Sequence, residues 1–237
     1  MADAAHILPR DTIVEVGPGE GTLTRVLSAS GATIIAVEKD RRLIPILKNT
    51  FASHKNIRIH EADIMNTHPD TNAFAELVHG NYKIIANIPY YITGRFLKMF
   101  LESTHKPRSM TLMVQREIAE RIIAKNNKES VLSLSIKVFG TPSIIRIVPR
   151  GAFSPPPSVD SAVIHIEGIS DAWFVKNNLT PSEFFSVIKK AFGQKRKTLR
   201  ASLGKIATLP PEFGTRRPET VSLEEWKNVI SAIKIKK

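Results

Sequence analysis

The sequence predicts an α/β fold: a parallel sheet covered by helices on both faces, followed by a small all-α C-terminal domain. Three observations carry that prediction. Through the first two-thirds of the chain, short apolar runs alternate with stretches of helical spacing, the order that winds a parallel sheet. Past about Thr141 two strand-like runs follow each other with only a Pro-rich loop between them, which suits an antiparallel pair on one edge. The tail then reads as helix, with two capping signals.

Residues 12–16 form the first apolar run, and Leu23, Val26 and Leu27 recur at helical spacing behind it. Residues 33–37 form the second run, and Leu43, Ile44, Leu47 and Phe51 mark the next helix. Pro45 either distorts that helix or lies near its first turn. Residues 57–60, 82–86 and 110–114 are the next strands, with helical patterns after the last two. Residues 144–148 and 162–166 flank the loop Phe153-Ser154-Pro155-Pro156-Pro157 and close the sheet. Thr180-Pro181-Ser182-Glu183 is a capping box with Pro at the first helical position, ahead of Phe184, Val187, Ile188, Ala191 and Phe192. Ser222-Leu223-Glu224-Glu225 repeats the signal before Trp226, Val229, Ile230 and Ile233. The division is expected near residues 168–170, giving domains 1–168 and 169–237.

A chain of 237 residues, 42% of them hydrophobic, can bury one full core and a smaller one. Its 24% charged residues are ordinary for a globular protein and exclude a disordered chain. Thirty-four Lys and Arg against 22 Asp and Glu leave a net charge of +12. That excess favours a polyanionic partner, nucleic acid or an acidic membrane surface. No apolar run reaches the roughly 20 residues of a membrane span, so no membrane partner is expected. The N-terminal Met-Ala-Asp-Ala-Ala-His has neither the basic start nor the apolar stretch of a secretory signal. The absence of cysteine excludes disulfides and a Cys nucleophile and leads us to expect a cytoplasmic protein. The seven His show no ligand spacing, so no metal is expected.

Val14-Glu15-Val16-Gly17-Pro18-Gly19-Glu20-Gly21 places glycines directly after a strand, where the backbone turns sharply and a ligand approaches without Cβ clashes. Alone, the string has the alternative of a tight strand-to-helix turn. Glu38 ends the second strand, where a carboxylate accepts the hydroxyl hydrogens of a ribose; by itself it is a solvated charge beside Lys39, Asp40 and Arg41. Asp63, after the third strand, suits an adenine amino group or, equally, a helix cap. All three line the C-terminal edge of a parallel sheet, where such folds bind ligands.

Asn87-Ile88-Pro89-Tyr90 follows the fourth strand and is the most informative string. The N6 lone pair of adenine is delocalised into the ring and poorly nucleophilic. Two acceptors, the Asn87 side-chain oxygen and the Ile88 carbonyl, suit the two N6 hydrogens and would turn the lone pair toward an electrophilic methyl. Pro89 stiffens the turn, and Tyr90 offers a face for stacking. Phe153 supplies an opposite wall for a flipped base, though singly it reads as core. The alternative is an ordinary strand-end turn. Residues 184–205 contain Lys189, Lys190, Lys195, Arg196, Lys197, Arg200 and Lys205 and no acidic residue. Such single-signed charge fits phosphate contacts, the alternative being a merely basic surface.

These strings, with AVEKDRRL, EADIMN, MVQREIAERI, FSPPPSVDSAVIHI and FFSVIKKAFGQKRKTLRASL, run in family order across nearly the whole chain. The chain resembles the KsgA/RsmA-type rRNA adenine N6,N6-dimethyltransferases, related to the Erm resistance methyltransferases. The resemblance implies a Rossmann-like class I methyltransferase sheet of seven strands, the last pair antiparallel, and a helical RNA-binding domain. It implies S-adenosylmethionine as methyl donor, S-adenosylhomocysteine as product, and cofactor contacts from Glu15, Gly17, Gly19, Gly21, Glu38, Lys39, Asp63, Ile64 and Asn87. It also implies dimethylation of two adjacent adenines near the 3′ end of small-subunit rRNA, within a pre-assembled small subunit, by a monomer. The family's Gln-Asn/His-Phe-Leu string has no counterpart before Thr12, which bears on cofactor affinity. The competing readings are an Erm-like enzyme of large-subunit rRNA, a noncatalytic assembly factor and, more distantly, a nicotinamide dehydrogenase.

Overall fold

The computed structural model describes residues 1–194, 196–204 and 209–234. Seven strands form one sheet in the order β3-β2-β1-β4-β5-β7-β6. The strands are β1 Thr12–Val16, β2 Thr33–Glu38, β3 Ile57–Glu61, β4 Lys83–Asn87, β5 Ser109–Gln115, β6 Thr141–Val148 and β7 Ser161–Glu167. β1 to β5 pair in parallel, and β7 lies antiparallel between β5 and β6. The expected closing antiparallel pair, β6 and β7, is therefore present, with the last strand of the chain inserted between β5 and β6. The central strands carry β-branched and apolar side chains on both faces, as Ile13, Val14, Ile34, Ile35, Ile84 and Ile85 do, and all of these are buried.

The helices are α1 Thr22–Ser28, α2 Leu43–Thr50, α3 Asn72–Leu77, α4 Thr93–Leu101, α5 Arg116–Ile122, α6 Val131–Lys137, α7 Ala172–Asn177, α8 Pro181–Phe192, α9 Leu199–Leu203, α10 Pro211–Gly214 and α11 Leu223–Lys234. Pro45 sits in the first turn of α2, where its missing N–H breaks no intrahelical bond. On α1 the inward face is Thr24 and Leu27, while Val26 is 56% exposed.

The chain separates into two compact units. One comprises Met1–Ala119 and Thr141–Ile169 and holds the sheet. The other comprises Glu120–Gly140 and Ser170–Lys237. Residues 120–140 thus group with the C-terminal helices, which a single cut near residue 168 does not provide for. The helical unit is built on capped helices. Thr180 and Glu183 exchange hydrogen bonds at the start of α8, and Ser222 and Glu225 do so before α11. Phe184, Val187, Ile188 and Ala191 of α8 are buried with Leu199, Trp226 and Val229.

Candidate active site

Parallel strands bring their C-terminal ends to one edge, and every candidate of the sheet unit falls on that edge or on a loop leaving it. β1 ends at Val16, and the chain turns through Gly17, Gly19 and Gly21 with φ of +67°, +60° and +84°, the left-handed region that favours glycine. A Cβ on Gly17 or Gly19 would meet no atom within 4 Å, so the loop backbone is open to a ligand. Gly21 differs: a Cβ there would lie 2.6 Å from the Phe51 ring, so this glycine serves close packing.

Glu38 at the end of β2 is 6% exposed and holds this loop. Its Oε2 accepts the Gly19 N–H at 3.2 Å, and its Oε1 accepts the Lys39 and Asp40 N–H groups at 2.8 Å each. A carboxylate has about four acceptor positions; the remaining one lies on Oε2. The Lys39 side chain is exposed. Asp63 caps a single 3-10 turn, Ile64–Asn66, through Oδ1 and the Met65 N–H at 2.9 Å. Its Oδ2 has no partner among the described residues. Ile64 is buried.

Glu15, two residues before Gly17, is 1% exposed. Neither of its oxygens reaches a full hydrogen bond among the described residues. Burial pushes the carboxyl up to about 7, against the weaker pull of the Thr24 hydroxyl and amide on α1.

β1 pairs directly with β4, Val16 opposite Ala86. Gly17 and Asn87 are the next residues on these neighbouring strands, whose spacing is about 4.8 Å. Asn87 is exposed and its carboxamide has no partner among the described residues. The Ile88 side chain is buried in the core, so only its carbonyl is available to a ligand, and no described backbone N–H donates to it. Pro89 is exposed and leads into a 3-10 turn, Tyr90–Ile92, which runs into α4. Tyr90 is half-buried, and its hydroxyl lies 2.5 Å from the Ser161 hydroxyl at the start of β7. That tether fixes the ring at the sheet edge.

Phe153 is half-buried in the loop between β6 and β7, whose ends Val148 and Ser161 are paired. Tyr90 is therefore bonded to one foot of the loop that carries Phe153. Among the described residues no ring contact joins Tyr90 to Phe153. Sequence reasoning missed Ser161 and Thr24. Each meets its partner only through the folded sheet, so no local signal marks it.

In the helical unit Lys189 and Lys190 close α8, Arg196 and Lys197 follow it, and Arg200 lies on α9. All five are exposed, and none forms an ion pair among the described residues. Lys195 and Lys205 lie outside the described residues. No helix among the described residues is long and apolar enough to cross a membrane.

Residues 1–229 match the family model described as ribosomal RNA adenine dimethylase. The chain is 41% identical to the ribosomal RNA small subunit methyltransferase A of Dehalococcoides mccartyi, over 95% of this chain and 80% of the relative. It is 35% identical to the protein of the same name from Clostridioides difficile, over 100% of this chain and 86% of the relative. Its fold is shared with a dimethyladenosine transferase from Plasmodium falciparum at a TM-score of 0.82 and 22% identity, covering 99% of this chain and 94% of the other. It is shared likewise with the 23S rRNA methyltransferase ErmE at a TM-score of 0.79 and 23% identity, covering 98% and 95%.

Proposed function

The chain belongs to the ribosomal RNA adenine dimethylase family, and from that premise we propose that it dimethylates the N6 amino groups of two adjacent adenines near the 3′ end of small-subunit rRNA, using S-adenosylmethionine. The observation that carries this reading is the register of β1 on β4, which sets the open glycine loop beside the unpartnered Asn87. A donor on that loop and an adenine on Asn87 would be immediate neighbours.

The unfilled groups fit the donor. Glu15 is a buried carboxyl whose oxygens reach no full hydrogen bond among the described residues, suited to an ammonium group. Glu38 keeps one acceptor position for a ribose hydroxyl, and Asp63 keeps Oδ2 for an adenine amine. When bound, S-adenosylmethionine supplies an electrophilic methyl on a sulfonium. Asn87 Oδ1 and the Ile88 carbonyl accept the two N6 hydrogens and aim the lone pair at that carbon. Transfer of that methyl would form the nitrogen–carbon bond as the carbon–sulfur bond breaks and would leave S-adenosylhomocysteine. Alkylation makes the N6 protons acidic, so solvent takes one in each round and no strong base is needed. Tyr90, tethered by Ser161, stacks on the base, and Phe153 closes the other side. The cations of α8 and α9 hold RNA phosphates and position the substrate without reading its sequence.

Mass spectrometry of RNA from immature small subunits, incubated with this chain and the donor, tests the proposal. Two dimethylated neighbouring adenosines are expected. Modification of naked large-subunit RNA instead, or donor binding with no product on either RNA, would overturn it.

A further inference from the structure

We propose that Tyr91 and Arg95 form a second subsite beside the transfer site, which takes the nucleotide next to the target adenine: Tyr91 stacks on its base and Arg95 pairs with its phosphate. The inference rests on the reading of the substrate given above. If two adjacent adenines are modified, the neighbour of the flipped base is itself a purine that has lost a stacking partner, and it needs a surface.

Tyr91 is 81% exposed, in contrast to its half-buried neighbour Tyr90. The contrast follows from the turn. In a 3-10 turn successive side chains point about 120° apart, so the two rings cannot share one face. Tyr90 is turned toward Ser161, which leaves Tyr91 directed outward. The turn is held at both ends, by Pro89 with φ of −56° and the Ile92 N–H on the Pro89 carbonyl at 3.2 Å, and by α4 behind it. Tyr91 is therefore a flat apolar surface on a firm support, and no hydrogen bond or ring contact engages it among the described residues.

Arg95 stands one helical turn further along, on α4, exposed and without an ion pair among the described residues. A ring with a cation one turn away matches a nucleotide, which presents a π face and a phosphate. Asn87 and Tyr91 are four residues apart, so their Cα atoms lie within about 14 Å, a span that two splayed neighbouring nucleotides cover. Stacking tolerates any base, so the subsite would set position more than identity.

The test uses the full chain with Tyr91→Ala, Tyr91→Trp and Arg95→Met. Methyl transfer to immature small subunits is measured, together with the fluorescence of an RNA fragment carrying 2-aminopurine beside the target adenine. For Tyr91→Ala the RNA KM is expected to rise on the order of 10-fold, with the loss falling on KM rather than kcat, and 2-aminopurine quenching is expected to disappear. Tyr91→Trp should restore both. Arg95→Met should weaken RNA binding and lower the log–log salt slope by about 1. An unchanged KM with full quenching in Tyr91→Ala would overturn the subsite, as would a defect that Trp does not rescue. An inactive wild-type chain that still quenches through Tyr91 would instead overturn the assigned reaction and leave the subsite standing.

Discussion

Glu15→Gln should make the protein more stable at neutral pH and a poorer binder of the methyl donor. The carboxyl is 1% exposed and its oxygens lack full hydrogen bonds. Burial raises it from an ordinary 4.5 to about 7. The folded state therefore holds this proton more tightly than the unfolded chain does. Between these values stability falls as pH rises, and the penalty is complete above about 7, reaching about 3 kcal/mol. Gln is isosteric and does not ionise. The stability difference between variant and wild type should thus shift by about 2–3 kcal/mol in favour of Gln from pH 5 to pH 8. Taking that difference across pH cancels the fixed cost of burying the amide. Trp173 and Trp226 both lie in the helical unit, so their fluorescence does not report on the sheet. Native-state hydrogen exchange of the β1 amides is the suitable probe. Parallel pH profiles for the two proteins would refute the argument.

Asn87→Ala should lower kcat/KM for methyl transfer on the order of 100-fold, because one of two acceptors aimed at N6 is lost, with little change in RNA affinity; near-normal turnover would remove Asn87 from the reaction. Gly17→Ala should weaken donor binding and, at φ of +67°, cost about 1–2 kcal/mol in backbone strain; unchanged calorimetric donor affinity would contradict an open cradle. Gly21→Ala should destabilise more than Gly17→Ala in urea melts, since its methyl adds a 2.6 Å clash with Phe51 to the strain. Lys189→Gln with Lys190→Gln should flatten the log–log salt dependence of RNA binding by nearly 2 if both contact phosphates; an unaltered slope would make them ordinary surface charges.

The sheet was legible because its central strands are buried on both faces and read as short apolar runs, as residues 12–16, 33–37 and 82–86 do. Strand order was not. The insertion of β7 between β5 and β6 is decided by pairings such as Leu112 with Ile164, between residues far apart in sequence. α3 left no pattern because its six residues offer only Phe74 to the core. The grouping of α6 with the C-terminal helices is likewise a long-range matter, for its capping box at Ser130 and Ser133 marks only a helix start. At the site, residue types were legible where glycine or proline punctuates a strand end. What each carboxylate does was less so. Glu38 reads as a ribose ligand or a solvated charge, yet three backbone N–H groups use most of its capacity, that of Gly19 in the glycine loop and those of Lys39 and Asp40 after β2.

The partners still missing along this edge have a common sign. Both Glu15 oxygens, Asp63 Oδ2, the Asn87 carboxamide oxygen and the Ile88 carbonyl are acceptors without partners among the described residues. Of the side-chain atoms in this set the two Glu15 oxygens are the ones tucked away from water, where an unpaired polar group is destabilising, while Asn87 is exposed and open to a ligand. A molecule that completes the set has to bring donors: an ammonium group, ribose hydroxyls and the amino groups of two adenines. A methyl donor built on adenosine and an adenine substrate together present those groups. The same account explains why Glu38 differs. Its backbone bonds keep the loop in shape before any ligand arrives, so the open acceptors are already in position and binding has little left to organise.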